Sequence, residues 1–493
     1  MGVVTGPSPP GAYPVVVVGS GPGGLQMSYC LDRLGIRHAV LSADDGPGGM
    51  FRRFPLFERL ISWTHRGAGP ELSAREFEAH DQNSLLADEP ELRGLVADRM
   101  AAGRRRPARE EMEGALRDFA ERAELPVRYG CRWEATRREE DGFVLGTSDG
   151  EFRCRAAVFA IGMTEPWVAP IPGLELGRHY VDVEHSPGRY AGRRVLIVGK
   201  RNSAFEIGEA LVAQDVRELT LVSPRPPELS RLARSPLRPW YLTAYDEHVR
   251  GAPGRYVLDA SVERVERAAD GFRAVLQDVM GDEHVVEADD LIAATGFSAP
   301  LGDLPAAGLE TVADGRLPVL TPLWEAIGLP GVFFAGNVTQ AARGPVGRGT
   351  VNLSSMVCGY RYNARILARH LAERLSGRPA EGARLAPDAV VPFLANELAR
   401  GPELAHQKGY LARVLRGNTR SGLNDVGVLP LELFLDEERD GLAVTLELDA
   451  EERITPVVYV RRGSRVEEHV LPPHLLRRFD APAYRAALGA LVG

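Results

Sequence analysis

The chain has 493 residues, of which 44% are hydrophobic and 26% charged, and its net charge is −8 at neutral pH. This length exceeds a single hydrophobic core and predicts two or three domains. The acidic balance excludes a nucleic-acid surface as the main function. No basic leader followed by an apolar stretch opens the sequence, and its apolar runs are too short to span a membrane. We therefore expect a cytoplasmic protein without membrane contact.

Cysteine usage supports a reducing location. The sequence has 4 cysteines, and no two of them form a C-x-x-C pair, which argues against a dithiol redox centre and a disulfide framework. No group of His, Asp, Glu and Cys has the spacing of metal ligands, so we expect no metal. The cysteines are Cys30, Cys131, Cys154 and Cys358.

The first predicted elements are a strand, a glycine turn, a helix and a second strand in "YPVVVVGSGPGGLQMSYCLDRLGIRHAVLSADD". The turn is a complete G-x-G-x-x-G that follows four valines, which is the context a dinucleotide site needs. Gly19 permits the tight turn, and Gly21 leaves room for a pyrophosphate at the helix N-terminus. Gly24 lets the helix pack closely on the strand. The pattern predicts a nucleotide-binding βαβ unit.

The second strand of that unit lacks the usual acidic residue at its end. Ser42 stands where an Asp or Glu would bind ribose hydroxyls, and Asp44 and Asp45 lie just beyond. The next segment, "GPGGMF", has two glycines that could admit a second approach to phosphate. The candidate cofactor contacts from this stretch are Ser42, Gly48, Gly49 and Met50.

A second βαβ unit begins at "RVLIVG", and its turn departs from the glycine pattern. Gly199, Asn202 and Ser203 keep the expected turn, but Arg201 replaces the glycine that would approach a pyrophosphate. One interpretation is a functional site in which Arg201 itself binds phosphate. The other is a lost site that Arg201 blocks, with Lys200 and Arg201 merely facing water.

The strand "ELTLVSPR" ends this second unit without an acid. Ser223 and Arg225 at its tip could bind the 2′-phosphate that distinguishes NADPH from NADH. Arg231 and Arg234, further along, fit a solvated basic loop equally well.

The C-terminal part shows helical turns and then segments with alternating hydrophobicity. The pattern predicts strands at "VLPLELFLD", "LAVTLELD" and "TPVVYVRRG". We expect this region, residues 386–493, either to cover the active site or to form an oligomer contact, which leaves a homo-oligomer open.

Taken together, these motifs resemble the flavoproteins with two dinucleotide-binding domains, over about residues 12–375. The resemblance rests on the first glycine turn, on "GGMF", on "AVFAIG" and "LIAATGF", and on the late strand "VFFAGN". The chain is most similar to the flavin-dependent monooxygenase superfamily. Within it, "FRRFPLFERLIS", "HDQNSLL" and "GYRYNARIL" look similar to the FAD-dependent oxidoreductase-domain branch.

This resemblance implies an α/β fold with two Rossmann-like domains and a small strand-rich C-terminal region. Residues 12–185 and 300–380 would form a discontinuous FAD-binding domain, and 186–299 an inserted NADPH-binding domain. The helix after "GRGTVN" would direct its N-terminal dipole at the flavin's pyrimidine end, with Thr350 and Asn352 at its start. Further implied cofactor contacts are Thr295, Gly296, Gly336, Asn337 and Asn352.

The resemblance also implies a function. NADPH would reduce FAD, and the reduced flavin would react with molecular oxygen to a C4a-(hydro)peroxyflavin that oxygenates nitrogen, sulfur or carbon in a small-molecule substrate. Two alternatives stay open. One is an NADPH-dependent oxidase or reductase without oxygen transfer, and the other is a non-catalytic flavoprotein scaffold.

Two residues are candidates for the catalytic centre. An active-site asparagine of many relatives would fall near Trp63 in "LISWTHR", and Asn83 in "HDQNSLL" is a candidate substitute. The histidines at 65, 80 and 185 could donate protons, although a lone histidine is more often structural.

Overall fold

The fold was obtained as a computed structural model that describes residues 7–57, 59–65, 72–184, 186, 188–230, 237–342, 344–345, 349–378, 382–418 and 422–492. The chain divides into two compact units. Unit 1 comprises Met1–Arg53, Ser62–Gly162 and Pro300–Gly493, and unit 2 comprises Phe54–Ile61 and Met163–Ala299. The units change at Ala299/Pro300, and the predicted domain limits at 185/186, 299/300 and 386 stay predictions. The assignment of one cofactor to each domain stays a prediction.

The described chain alternates strands and helices, with strands dominating the second half. The strands are β1 Gly11–Val18, β2 His38–Leu41, β3 Val127–Arg128, β4 Trp133–Glu139, β5 Gly142–Thr147, β6 Gly150–Phe159, β7 Glu165–Pro166, β8 Arg178–His179, β9 Arg194–Val198, β10 Glu218–Ser223, β11 Arg255–Ala268, β12 Gly271–Asp278, β13 Glu283–Ala288, β14 Asp290–Ala293, β15 Phe297–Ser298, β16 Thr311–Val312, β17 Leu317–Pro318, β18 Val332–Phe334, β19 Ala383–Leu385, β20 Leu411–Asn418, β21 Gly422–Pro430, β22 Gly441–Leu448, β23 Ile454–Arg462 and β24 Arg465–Val470. The helices are α1 Pro22–Arg33, α2 Ala74–Phe77, α3 Leu95–Arg99, α4 Arg109–Arg122, α5 Asn202–Val212, α6 Thr243–Val249, α7 Val357–Ser376, α8 Pro387–Arg400, α9 Pro402–His406, α10 Leu431–Asp436 and α11 Pro482–Val492.

Unit 1 contains a sheet in the order β3-β2-β1-β6-β5-β4, with β18 also paired to β6. Strand β1 pairs in parallel with β2 on one side and β6 on the other, and its valines are buried, as expected for an inner strand of a parallel sheet whose faces are covered. The chain leaves β1 for β2 and only later adds β6 on the opposite side. In such sheets, ligands bind outside the carboxyl end of the strand where the order reverses, and here that strand is β1.

Unit 2 repeats this arrangement in the order β13-β12-β11-β10-β9-β14-β8. Strand β9 pairs in parallel with β10 on one side and with β14 on the other. Its carboxyl end, at Val198, is therefore the second point where the strand order reverses. The α/β class with two Rossmann-like units is confirmed.

The C-terminal strands form one antiparallel sheet in the order β19-β21-β20-β22-β23-β24. The prediction of a strand-rich region is thus confirmed, but one predicted strand is wrong. In "VLPLELFLD", β21 ends at Pro430 and Leu431–Asp436 forms helix α10. Leu431 and Phe434, three residues apart on one helical face, are both buried in the core of this sheet.

A buried carboxyl group in unit 2 leads to a prediction about stability. Glu206 lies on α5 and is 6% exposed, and the Tyr180 hydroxyl donates to its Oε2 at 2.7 Å. Burial raises the pKa of Glu206 to about 7, although the bond from Tyr180 acts in the opposite direction. Because the folded-state pKa lies above the ordinary value of 4.5, ionisation opposes folding as pH rises between these two values.

We therefore expect Glu206→Gln to be more stable than the parent protein at pH 8, by about 3 kcal/mol at ~1.4 kcal/mol per pKa unit. The advantage should shrink to near zero at about pH 4, where the glutamate is protonated in both folded and unfolded chains. Melting temperatures of the two proteins across this range measure the difference. A pH-independent difference would contradict the assignment.

Candidate functional site

The first glycine turn lies at the carboxyl end of β1, where the strand order reverses. Gly19 has φ +114°, and a Cβ there would stand 2.4 Å from the Ala160 carbonyl oxygen. A Cβ on Gly24 would stand 1.9 Å from the Gly19 carbonyl oxygen. These two glycines are therefore required by the protein's own turn and helix packing.

Gly21 is different, because the fold does not require it. Its φ is −72°, which any residue can adopt, and a Cβ there would meet no nearer described atom than Gly49 Cα at 3.8 Å. Gly21 is the N-cap of α1, whose first backbone N–H groups have no partner within the helix. A glycine at this point leaves space for an anion to reach those groups, which fits a bound pyrophosphate.

Other predicted contacts converge on this turn. A Cβ on Gly49 would stand 2.9 Å from Gly21 Cα, and the Gly48 N–H donates to the Ser20 carbonyl at 3.0 Å. A Cβ on Gly23 would stand 2.5 Å from Gly336 Cα. Asn337 follows Gly336, and its Nδ2 lies 3.8 Å from the Met50 sulfur. The fold thus brings together Gly19, Gly21, Gly24, Gly48, Gly49, Met50, Gly336 and Asn337.

Ser42, the predicted ribose contact, is bonded to the protein's own turn. It is 2% exposed, its hydroxyl lies 2.7 Å from the Ser20 hydroxyl, and it accepts the Asp44 N–H at 3.2 Å. Its side chain therefore stabilises the turn.

A cavity of about 610 Å³ lies beside the ends of β2 and β3, where the adenosine half of a dinucleotide is expected. Asp45 lines it, and the ion pair with Arg52 holds the pKa of that carboxyl below its usual range. Tyr129 also lines it, and burial raises the pKa of its phenol to about 12. We expect Asp45 rather than Ser42 to lie near the ribose. Sequence reasoning missed the place of Arg52 and Tyr129 in this cavity: Arg52 was noted only within "FRRFPLFERLIS", and Tyr129 lies in no motif.

The segment that the resemblance places against the flavin precedes α7 rather than starting it. Helix α7 begins at Val357 with Met356 as N-cap, so Thr350 and Asn352 are not at its start. Asn352 donates to the Ala342 carbonyl and accepts the Ser354 N–H at 2.8 Å. Its side chain thus holds the loop that leads into the helix.

The C-terminal region is fastened to this same segment. The Val351 N–H donates to the Lys408 carbonyl at 2.6 Å, and the Leu448 N–H, at the end of β22, donates to the Gly349 carbonyl at 3.1 Å. The Leu353 N–H donates to Gln407 Oε1 at 2.7 Å. Residues 349–353 are therefore held by the C-terminal sheet and the loop before it.

Asn83 lies in a buried network. It is 0% exposed; its Oδ1 accepts from the Ser62 hydroxyl, and its Nδ2 donates to Thr64 Oγ1 at 2.9 Å. Trp63 is half-buried, and its backbone N–H donates to Gln82 Oε1 at 3.2 Å. Asn83 thus stabilises this part of the fold, and the catalytic role of Asn83 and Trp63 stays a prediction.

The histidines predicted as proton donors are only partly placed. The backbone N–H of His65 donates to the backbone carbonyl of His80 at 2.8 Å, and the centroids of the two imidazole rings lie 6.4 Å apart. His185, Arg231 and Arg234 lie outside the described residues.

The second glycine turn keeps its backbone shape despite the arginine. A Cβ on Gly199, which has φ +137°, would stand 2.5 Å from the Ala294 carbonyl oxygen. Arg201 is the N-cap of α5 with φ −112° and ψ −171°, an extended conformation like that of Gly21. Arg201 is exposed to solvent, so its side chain is not buried within the turn.

Lys200, by contrast, does not face water. Its side chain is 2% exposed and pairs with Asp259, the last residue of β11 that pairs with β10. Burial lowers the pKa of Lys200, and the contact with Asp259 acts against that shift. The lost-site interpretation was therefore wrong for Lys200, while Arg201 is accessible to a ligand.

Four further predicted residues of unit 2 have described surroundings, and their cofactor contacts stay predictions. Asn202 Oδ1 accepts the Arg238 N–H at 2.9 Å, and Ser203 beside it is half-buried. The Thr295 hydroxyl donates to the Trp167 carbonyl at 2.6 Å, and the Gly296 carbonyl accepts the Trp167 N–H at 3.0 Å. These bonds tie the end of β14 to the segment that follows β7.

The tip of β10 carries the residues expected to recognise a 2′-phosphate. Ser223 donates weakly to the Arg225 carbonyl at 3.4 Å. Arg225 is exposed, and within the described ranges no carboxylate forms an ion pair with its guanidinium.

We expect Arg225→Ala to raise the KM for NADPH at least about tenfold, since one charge-assisted bond contributes about 1.5–3 kcal/mol. The KM for NADH should change little, and equal effects on both would refute the assignment.

Other classes of site find no support in the described part of the chain. Its residues include no group of three or more His, Cys, Asp or Glu side chains arranged to hold a metal ion. No described helix is both long enough and apolar enough to cross a membrane. The 4 cysteines are all buried and free.

Comparison with known proteins gives a consistent picture. A family model described as pyridine nucleotide-disulphide oxidoreductase matches residues 16–336. The ferredoxin–NADP reductase of Saccharopolyspora erythraea is 30% identical over 309 residues, which cover 61% of this chain and 78% of that protein. The FAD-dependent oxidoreductase domain-containing protein 2 of Mus musculus is 33% identical over 204 residues, which cover 40% of this chain and only 30% of the mouse protein.

Among solved structures, a flavin-containing monooxygenase from Stenotrophomonas maltophilia has a similar fold. Its TM-score is 0.54 at 22% identity, and the match covers 74% of this chain and 99% of that one. At this identity the likeness establishes the fold.

Proposed function

Since this chain belongs to the pyridine nucleotide-disulphide oxidoreductase family, we propose that it is a monooxygenase that takes electrons from NADPH and oxygenates a small nucleophilic molecule. The chain is an NADPH-dependent flavoprotein oxidoreductase, and its cofactors are FAD and NADP(H). What is proposed is the use of molecular oxygen and the transfer of an oxygen atom to a substrate.

Each glycine turn would bind one of the two cofactors. The turn around Gly21, with the backbone of Gly48 and Gly49 beside it, would hold the FAD pyrophosphate, and the cavity at Asp45 would receive the adenosine. The turn around Arg201, with Arg225, would hold NADPH. When bound, FAD accepts two electrons from NADPH and passes them to the final acceptor. The chain's part is to position both cofactors and to exclude water.

The observation that carries the proposal is the attachment of the C-terminal sheet. This sheet lies beyond the residues that the family model matches; its strand β22 is hydrogen-bonded to Gly349, and the loop before β20 is hydrogen-bonded to Val351. By resemblance, that segment lies at the flavin's pyrimidine end. A cover at this place would keep bulk water from a reactive oxygenating centre, a need that a simple reductase does not have.

A second candidate is a reductase that transfers electrons without transferring oxygen. Two observations favour it: Trp63 stands where an asparagine is expected, and both amide atoms of Asn83 are used within the protein. The 30% identity to a ferredoxin–NADP reductase points the same way, to a protein electron acceptor.

Rapid mixing separates these candidates. The FAD-bound protein is reduced with NADPH, mixed with oxygenated buffer, and followed by flavin absorbance and peroxide release. A third spectrum, distinct from those of oxidised and reduced flavin and lasting seconds, supports oxygenation. Direct return to the oxidised spectrum with stoichiometric peroxide supports the reductase. If NADPH fails to reduce the flavin at all, both are wrong and a non-catalytic scaffold is left.

A further inference from the structure

A cavity of about 400 Å³ lies between helix α7 and the C-terminal sheet, all within unit 1. We call it the arginine cavity. Its volume is in the range of small-molecule sites. Its charged lining consists of Arg75, Arg365, Arg369, Arg413, Glu403 and Asp425.

Two of these arginines already have carboxylate partners. Arg75 forms two bonds of 2.7 Å with the buried Glu397 and a bond of 2.8 Å with Glu403. Arg413 forms a two-bond pair with Asp425, its Nε donating to Oδ1 at 2.8 Å. The bonds of Arg75 join α2 to α8 and α9, and the Arg413–Asp425 pair joins β20 to β21. These two arginines therefore have little capacity left for a ligand.

The other two arginines lack such a partner. Arg365 and Arg369 are four residues apart on α7 and therefore lie on the same helical face. The Arg365 guanidinium is 4.0 Å from Glu403, beyond hydrogen-bond distance, and Arg369 donates to a neutral group, the Val428 carbonyl, at 3.0 Å. Elsewhere in the described ranges, no carboxylate forms an ion pair with either.

The electrostatics of the cavity agree with this geometry. Burial lowers the pKa of Arg369, and the positive charges of Arg365 and Arg413 lower it further. The charges of Glu78 and Glu403 raise the pKa of Arg365 against the effect of burial. Glu78 also acts on the buried Arg361, and Glu403 also accepts a hydrogen bond from Arg75. The carboxylates nearest Arg365 are thus each shared with a second arginine, and about a third of the Arg365 side chain is exposed to solvent.

We propose that the arginine cavity binds a small anion bearing a carboxylate or phosphate group, held by the guanidinium groups of Arg365 and Arg369. Guanidinium forks recognise both of these oxyanions with two parallel hydrogen bonds. Arg365 and Arg369 follow Val357, the first residue of α7, by two and three turns, or about 12 and 18 Å along the helix at 1.5 Å per residue. The site is thus separate from residues 349–353 and suits an effector rather than the substrate.

Calorimetric titration tests the proposal on the FAD-bound protein, with saturating NADP⁺ to fill the dinucleotide sites and constant ionic strength. The two probes are inorganic phosphate and succinate. We expect saturable binding of at least one, and whichever binds more tightly identifies the phosphate or carboxylate class. Absence of saturable binding for both probes would overturn the proposal.

Variants then locate the site. Arg369→Gln and Arg365→Gln should each weaken binding about tenfold to a hundredfold, because each removes a charge-assisted bond, while Arg369→Lys should retain part of it. Arg264→Gln, at an exposed arginine of unit 2 paired with Glu266, serves as the control and should bind like the parent. If the glutamine variants bind as the parent does, the anion is held elsewhere and the proposal is wrong.

Discussion

Gly21→Val is expected to yield a folded protein that does not bind FAD. The fold itself leaves room for a Cβ at this position, because φ is −72° and the Cβ would meet no described atom nearer than 3.8 Å. The added isopropyl group would instead occupy the space in front of the α1 N-terminus, where a pyrophosphate must approach the backbone. Flavin absorbance per mole of purified protein, with circular dichroism as the measure of folding, checks this result.

Two other glycines provide matched comparisons. Gly489→Val, in helix α11, where a Cβ has open space, should leave the FAD content unchanged. Gly24→Val should damage the fold itself, since its Cβ would stand 1.9 Å from a carbonyl oxygen. A Gly21→Val protein that keeps one FAD per chain with unchanged affinity would show that the cofactor lies elsewhere.

Arg201→Ala is expected to weaken NADPH binding about tenfold to a hundredfold and to leave FAD content unchanged. The side chain is exposed at the N-cap of α5, while the neighbouring Lys200 is buried in its pair with Asp259. Arg201 is thus the cation of this turn that can reach a phosphate. A charge-assisted hydrogen bond contributes about 1.5–3 kcal/mol, at ~1.4 kcal/mol per factor of ten in affinity. The rate of flavin reduction against NADPH concentration measures the loss.

Arg201→Gly distinguishes this role from obstruction. If Arg201 binds the pyrophosphate, the glycine variant should bind NADPH more weakly than the parent, as the alanine variant does. If Arg201 blocks the turn, the glycine variant should bind more tightly, and our assignment fails. Arg264 is an exposed arginine on β11 of the same unit, and Arg264→Ala should bind NADPH as the parent does.

The sequence by itself determined the features that depend on short stretches of backbone. The two βαβ units and the glycines at 19, 24 and 199 could be predicted because a tight turn and a close helix–strand approach exclude a Cβ at those places. A buried parallel strand is likewise recognisable from four consecutive valines. These constraints act within a few residues, so they are visible in the order of residues alone.

Only the tertiary structure decided which partners the polar side chains meet. Lys200 and Asp259 are 59 residues apart in sequence, and Arg75 and Glu397 are 322 apart. Ser42 was predicted to contact ribose, but the fold brings Ser20 to its hydroxyl. The same applies to "LELFLD", whose alternating pattern predicts a strand. In the folded protein this segment is helical, and the helix places Leu431 and Phe434 together in an apolar core. Such choices depend on burial and charge contributed by distant segments, which no local pattern encodes.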